Sequence, residues 1–282
     1  MLANGRSITT YVVLVAMLLA ISAAAQGEIV LSTKANAKVG DLRFRDGDLI
    51  RYDMDTGIAS LLFDEDLFRR NEDIDAVYAF ESGTLVLSTK SGAKLGGLRF
   101  RDGDLVEYDP VSDIATLFFS EDLFTRGNAD VNALHILANG HLILSTRAKA
   151  TLGGLSFRDG DLVEYDPVSD TATLFFSEDL FRRNEDIDAV FVLDDGHIVL
   201  STRSRATLGG LRFENGDLIE YDPVCETASI YFDESVFTHN EDINAASGLG
   251  EYIEPPEPAT FSLLAIGGIL ILLKRRRRAN TR

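Results

Sequence analysis

The sequence predicts an all-β chain, a four-bladed β-propeller of four-stranded antiparallel blades whose two ends join by strand exchange. Three observations predict it. The tetrad Leu31-Ser32-Thr33-Lys34 recurs as Leu87-Ser88-Thr89-Lys90, Leu144-Ser145-Thr146-Arg147 and Leu200-Ser201-Thr202-Arg203, at steps of 56, 57 and 56 residues. Each copy divides into four short β-rich runs. The first copy lacks one run, and the last part of the repeat region supplies it. Periods of this size belong to solenoids, propellers or arrays.

Gly47-Asp48, Gly103-Asp104, Gly160-Asp161 and Gly216-Asp217 keep the same steps, as do Tyr52, Tyr108, Tyr165 and Tyr221, with Gly127 read as the one-residue insertion. Residues 96–124 and 153–181 differ only at Arg99/Ser156 and Ile114/Thr171. One copy shows the runs best: residues 188–193 (run a), 196–202 (run b), 216–222 (run c) and 227–232 (run d). Asp194-Asp195-Gly196 and Asp222-Pro223 supply turn chemistry between the first and the last pairs. A longer loop holding Leu208-Gly209-Gly210-Leu211 joins runs b and c, and no 11-residue stretch without Gly or Pro has helical periodicity.

The repeat region opens on a run b, residues 27–33, and closes on a run a, residues 242–248, so the last run completes the first unit. An open solenoid needs polar end caps instead. The consecutive apolar residues Leu142-Ile143-Leu144 and Leu174-Phe175-Phe176 are expected where neighbouring units cover both faces of a strand. A β-sandwich, a solenoid and a ring of two chains remain alternatives. The Glu-Tyr-Asp-Pro element resembles the strand-turn of kelch-type blades, without their paired glycines or Trp, so that resemblance implies architecture only.

Charge divides the chain into three regions. Of 27 Lys+Arg and 45 Asp+Glu, residues 1–25 hold one base, and residues 255–282 hold six bases and one acid, which leaves 20 bases against 44 acids, or −24, between them. Such a surface disfavours nucleic acid and attracts cations or basic partners. One Cys, no Trp and 45% apolar residues exclude disulfide scaffolds, zinc-cysteine sites, collagen and coiled coil.

Residues 1–25 read as a secretory signal, with Arg6, an apolar run from Tyr11 and Ala23-Ala24-Ala25 at the cleavage point; an amino-terminal membrane anchor is the alternative. Cys225 lies far from that point, so a lipid-modified terminus is not expected. Residues 26–250 form the repeat domain, and 251–282 a separate segment. There Pro255-Pro256-Glu257-Pro258 precedes an uncharged stretch, Ala259 to Leu273, and the cluster Lys274-Arg275-Arg276-Arg277-Arg278. At about 1.5 Å per residue the stretch is a short span for a bilayer, with the basic cluster on the cytoplasmic side. A core helix with a basic tail is the alternative.

The order Pro256, Glu257, Pro258, an apolar segment with Gly267-Gly268, then the Arg cluster closely resembles the PEP-CTERM sorting signal. The resemblance covers some 25 residues. It implies export in a Gram-negative bacterium by way of a signal peptidase, transient inner-membrane anchoring, processing by an exosortase, and delivery to the cell surface or an extracellular polysaccharide matrix. Pro255 stands where many such signals carry a small aliphatic residue, which leaves the processing point open.

Candidate chemistry sits at the start of run a, where Asp73/Asp75, Asp130/Asn132, Asp186/Asp188 and Asp242/Asn244 repeat. Residues two apart share a strand face, so a closed ring would gather all eight near one channel mouth, where hard oxygen ligands suit Ca²⁺ or Mg²⁺. Local capping of the turn into run a explains the same residues without a metal. The acidic stretch Asp64-Glu65-Asp66 with Glu72-Asp73 is a second cation candidate on the rim.

His141 and His197 begin run b, His135 aligns with Tyr78 and His239 with an arginine position, in no metal spacing. Cys225 aligns with turn residues Thr56, Ser112 and Ser169, with no base assignable to it. The Ser-Thr-Lys/Arg tetrads are a candidate contact shared by all units, or simply solvated strand ends. Near-identical units suit multivalent binding or scaffolding, with extracellular polysaccharide or surface proteins as partners. An extracellular lyase, hydrolase or lactonase is the alternative, since a chain rich in acids leaves paired-carboxylate chemistry open.

Overall fold

The computed structural model describes residues 27–125 and 129–250, which form an all-β chain. The signal-like residues 1–25, Gly127, the Pro256-Glu257-Pro258 motif and the cluster Lys274 to Arg278 lie outside the described residues. Among those described, no helix is long and apolar enough to cross a membrane.

The first unit comprises β1 (Glu28–Thr33), β2 (Ala37–Val39), β3 (Leu42–Phe44), β4 (Leu49–Asp53) and β5 (Ala59–Phe63). The second comprises β6 (Ile74–Phe80), β7 (Leu85–Thr89), β8 (Ala93–Leu95), β9 (Leu98–Phe100), β10 (Leu105–Asp109) and β11 (Ile114–Phe119). The third has β12 (Val131–Ile136), β13 (Leu142–Thr146), β14 (Ala150–Leu152), β15 (Leu155–Phe157), β16 (Leu162–Asp166) and β17 (Thr171–Phe176). The fourth has β18 (Ile187–Val192), β19 (Ile198–Thr202), β20 (Ala206–Leu208), β21 (Leu211–Phe213), β22 (Leu218–Asp222) and β23 (Thr227–Phe232), and β24 (Ile243–Gly250) ends the fold.

The third and fourth units are meanders in the order β12-β13-β16-β17 and β18-β19-β22-β23. β24 pairs antiparallel with β1 from Ile29↔Gly248 to Thr33↔Ile243, which completes the first unit as β24-β1-β4-β5. Two further pairs, Leu249↔Ala79 and Gly250↔Phe80, run parallel and join that unit to β6-β7-β10-β11 in one eight-stranded sheet.

Four apolar clusters each span two units: first with second, second with third, third with fourth, and fourth with first. Every unit is therefore packed on two others, and the set closes into a ring. β13 shows why its apolar residues run consecutively: Leu142 and Leu144 enter the cluster shared with the second unit, and Ile143 the one shared with the fourth. The expectation for Leu174-Phe175-Phe176 fails. Those residues lie on an outermost strand, and Leu174 is 52% exposed although Phe176 is buried.

The repeated tyrosines have a common task. Phe63–Tyr108, Phe119–Tyr165, Phe176–Tyr221 and Tyr52–Phe232 make edge-on ring contacts at 5.8, 5.8, 5.7 and 5.4 Å, one at each junction between units. Such pairs add about 0.5–1.5 kcal/mol each beyond the area they bury.

Two features depart from expectation. The Leu208-Gly209-Gly210-Leu211 loop is the turn of a hairpin, β20-β21, repeated in every unit. Short 3₁₀ turns also follow the outermost strands, the third at Glu178–Leu180, capped by Ser177 Oγ on Asp179 N. Their first carboxylates are anchored: Glu178 is buried, receives Gly160 N at 3.2 Å and lies 2.9 Å from Arg158.

Candidate metal centre on the ring axis

Four strands, β6, β12, β18 and β24, line the inside of the ring, and each carries the same irregularity at its second residue. β6 pairs Ile74 with Thr89 and then Ala76 with Ser88, leaving Asp75 as the extra residue of a bulge. Asn132, Asp188 and Asn244 are skipped in the same way. A bulge re-aims the side chain it carries. The rule that residues two apart share a face therefore fails here, and the eight sequence candidates separate into two tiers.

The outer tier is paired with bases, although Asp130 Oδ1 is buried without a hydrogen-bond partner. Asp73 lies 3.2 Å from Lys90, Asp130 3.0 Å from Arg147, Asp186 3.6 Å from Arg203 and Asp242 3.6 Å from Lys34. In each case the base closes its own tetrad, and its backbone N–H donates at 2.9 Å to the carbonyl of the same aspartate. These carboxylates bond across strands to their bases, which differs from the turn capping considered above.

That arrangement also corrects the reading of the tetrads as a shared contact surface. Ser32, Ser88, Ser145 and Ser201 and the threonines beside them are all fully buried. The serine hydroxyls donate at 2.7–3.0 Å to the carbonyls of Asp46, Asp102, Asp159 and Asn215, and the threonine hydroxyls at 2.8 Å to the carbonyls two residues ahead. The tetrad is an internal fastening.

The inner tier is different. Asp75, Asn132 and Asn244 are 3, 5 and 9% exposed, and Asp188 is half-buried. Asn132 Nδ2 donates to the Ile187 carbonyl and Asn244 Nδ2 to the Ile74 carbonyl, both at 3.0 Å. Both Asp75 oxygens, and Oδ1 of Asn132, Asp188 and Asn244, are buried with no hydrogen-bond partner. Opposite inner strands, β6 with β18 and β12 with β24, approach within 8 Å Cα to Cα, so the ring is narrow between the strands that carry these side chains. Buried polar atoms are normally paired, and these five unpaired oxygens, spread over equivalent positions of the four inner strands, call for partners.

The electrostatics agree. Burial raises Asp75 well above the ordinary carboxylate range, with the Asp130 carboxylate adding to it. Burial likewise raises Asp188, opposed by Lys34 and reinforced by Asp242. Asp130 is pushed up to about 6 by burial, against the pull of Arg147. Asp46 and Asp159, which sequence spacing did not single out, face Asp73 and Asp186: burial is the main cause of the raised values of Asp46 and Asp186, and the facing carboxylate the next. Two carboxylates with two amide oxygens carry a charge of −2, which matches a divalent cation of oxygen preference.

Elsewhere the structure gathers groups that spacing concealed. His197 Nδ1 lies 2.6 Å from Glu220 and 3.7 Å from Asp195, and one donor atom from each of the three falls within 4.8 Å of the others. His141 meets Glu164 in the same way, with Asn139 where His197 has Asp195. These partners stand on the neighbouring strand, 23 residues away. Asp64 and Asp66, the rim candidates, are bound to Arg45, as is Glu65. Cys225 is exposed in its turn, where hydrogen bonding to Asp222 raises its thiol.

No family model and no curated protein matches the chain. Among solved structures of β-propeller proteins, the one titled YCF48 bound to D1 peptide matches at 12% identity and a TM-score of 0.33 over 69% of this chain, which spans 49% of that one. Virginiamycin B lyase from Staphylococcus aureus matches at 6% identity and a TM-score of 0.32, over 72% of this chain and 58% of that one. A chain of a nidogen/laminin complex matches at 8% identity and a TM-score of 0.40, over 80% of this chain and all of that one.

Proposed function

We propose that the chain is an exported, noncatalytic binding or scaffolding protein of the cell surface or extracellular matrix, built as a four-bladed propeller around an axial divalent cation, with Ca²⁺ the best match. The observation that carries the cation is the set of unpartnered buried oxygens on Asp75, Asn132, Asp188 and Asn244, one from each inner strand. These residues would hold the ion, and water would complete its six to eight oxygen ligands. The ion would tie four units together through one strand of each. Export and exosortase sorting are supported by residues 1–25, by Pro256-Glu257-Pro258 and by the Lys274 to Arg278 cluster. A binding role is supported by the same geometry recurring at equivalent positions of every unit.

Calorimetric titration with Ca²⁺ and thermal melts test the reading, comparing the native chain with Asp75→Asn/Asp188→Asn. The pair of substitutions keeps four oxygens and removes both charges. The expected result is one bound ion per chain and a Ca²⁺-dependent rise in melting temperature, both lost in the variant. If the native chain shows no heat and no rise, while the variant is as stable or more so, the carboxyls are protonated in the fold and the cation is excluded. Cell fractionation tests sorting through loss of the tail from the surface form.

A further inference from the structure

The junction between the third and fourth units carries a second, oppositely charged site. At each junction the loop after one unit's outermost strand hydrogen-bonds to the hairpin of the next. Arg69 N donates to the Lys94 carbonyl, Thr125 N to Thr151, Arg182 N to Thr207 and Thr238 N to Lys38, all at 2.9–3.1 Å. This register sets the side chains following each 3₁₀ turn against those of the next hairpin.

Between the third and fourth units the result is a cleft of about 290 Å³, lined by Arg182, Arg183, Glu185, Arg205, Thr207 and Arg212 along with Ala206. Arg205 is paired with Glu214 at 2.6 Å. Arg182, Arg183 and Arg212 are exposed and form no ion pair among the described residues. Three uncompensated guanidinium groups in a region of charge −24 are contrary to its general field. The neighbouring junction, fourth with first, holds a larger cleft of about 540 Å³ that again presents two bases of the hairpin, Lys38 and Arg43, with His239, but also Asp48, Asp64 and Glu241, so its charge is mixed and it is a weaker anion subsite. Arg69, Arg70, Lys94 and Arg99 take these positions between the first and second units.

We infer that these junction clefts bind the carboxylate or sulfate groups of an acidic polysaccharide, the cleft of Arg182, Arg183 and Arg212 being the principal subsite. This ligand class rests on the extracellular binding role proposed above. Guanidinium forks match planar and tetrahedral oxyanions through paired N–H donors. The walls of the Arg182 cleft hold no aromatic ring on which a base could stack, which disfavours single-stranded nucleic acid, and only Ala206 to seat an apolar side chain. Thr207 offers a hydroxyl suited to sugar hydroxyls, and Glu185, one of whose oxygens already accepts from Ser204 Oγ, offers the other as an acceptor. Repetition around the rim would let a polymer with regularly spaced anions engage several clefts at once.

The second–third junction supplies fold-compatible substitutions, because Thr125 and Ser156 stand there at the places of Arg182 and Arg212. The test measures binding of a short oligogalacturonate, its methyl-esterified neutral form and a single-stranded DNA of equal charge to the native chain and to Arg182→Thr/Arg212→Ser. The inference expects the oligogalacturonate to bind, salt to weaken it, and the neutral form and the DNA to bind at least about tenfold more weakly; the variant should lose about tenfold or more in affinity. Equal binding of the neutral form, equal or tighter binding of the DNA, no binding of the oligogalacturonate, or an unaffected variant overturns it. Asp75→Asn/Asp188→Asn should still bind the oligogalacturonate, so failure of the axial cation and failure of the clefts are read separately.

Discussion

Asn132 Nδ2 donates to the carbonyl of Ile187 at 3.0 Å, so a side chain of one unit's inner strand caps the bulged backbone of the next. Asn244 repeats the contact on Ile74, two units away around the ring. Between them stand Asp75 and Asp188, which as carboxylates cannot donate. The alternation of Asn and Asp thus has a physical meaning: two positions fasten adjacent strands, and two carry the carboxyls that the proposed ion would take. Asn132→Ala leaves a buried carbonyl unsatisfied and should cost about 1–3 kcal/mol in denaturant unfolding. Lys90→Met, which removes the half-exposed partner of Asp73, should cost less than about 1 kcal/mol, since exposed pairs contribute little. Equal costs at the two sites would contradict the separation into tiers.

The repeated Gly-Asp pairs mark close backbone approach. A Cβ on Gly160 would lie 2.0 Å from the Glu185 carbonyl oxygen and 2.8 Å from the buried Glu178 side chain. Gly160→Ala should therefore destabilise by roughly 3 kcal/mol or more, because two segments of backbone must separate. Gly154 has φ +81° with open space around it, so Gly154→Ala should cost only about 1 kcal/mol. Chemical denaturation of the two variants side by side checks the ranking.

Closure of the ring makes a specific prediction for truncation. β24 is the inner strand of the first unit, and Ser247 Oγ accepts from Ala79 N at 3.1 Å. A chain ending at Glu241 should lose cooperative unfolding throughout and self-associate through the bared edge of β1. A linear stack would instead lose only the stability of its terminal unit. Hydrogen exchange in the third unit distinguishes the outcomes: protection there should fall with the rest.

His135 is expected to set part of the acid sensitivity. Burial lowers it from its ordinary 6.5 to about 4, and its Nδ1 has no hydrogen-bond partner. A base depressed in the folded state contributes stability above pH 6.5 that is lost as pH falls toward 4, on the order of 2–3 kcal/mol in total. The equivalent positions hold Tyr78 and Phe191, and Tyr78 meets the imidazole edge-on at 5.4 Å. His135→Phe should leave stability at pH 7.5 nearly unchanged or higher and shift the acid midpoint downward. An unchanged midpoint would show that carboxylate protonation alone unfolds the chain.

Much of this architecture was legible in the sequence because repetition makes weak local signals comparable across units. The period, the four runs and the strand exchange of residues 27–33 with 242–248 correspond to β1, β24 and the meanders, and run d at residues 227–232 has the limits of β23. The hairpin at Leu208-Gly209-Gly210-Leu211 was hidden because strands of three residues are too short to show alternation. Leu174 misled because an apolar residue facing solvent reads the same as one inside. The acidic pairs were visible as a pattern, but their separation into tiers was not, since it depends on a bulge that only strand pairing reveals. Three of the bases that pair with the outer tier lie 17 residues from their aspartates, and Lys34 meets Asp242 across the ring closure, at the ends of tetrads whose serines and threonines serve a different, internal purpose.

The axial cation is tested most directly by anomalous diffraction from crystals grown with Ca²⁺. The account predicts a single axial peak about 2.3–2.6 Å from oxygens of Asp75, Asn132, Asp188 and Asn244. It is contradicted if no peak appears and the Asp75 carboxyl instead donates its proton to the Val131 carbonyl, in the manner of the asparagines on either side.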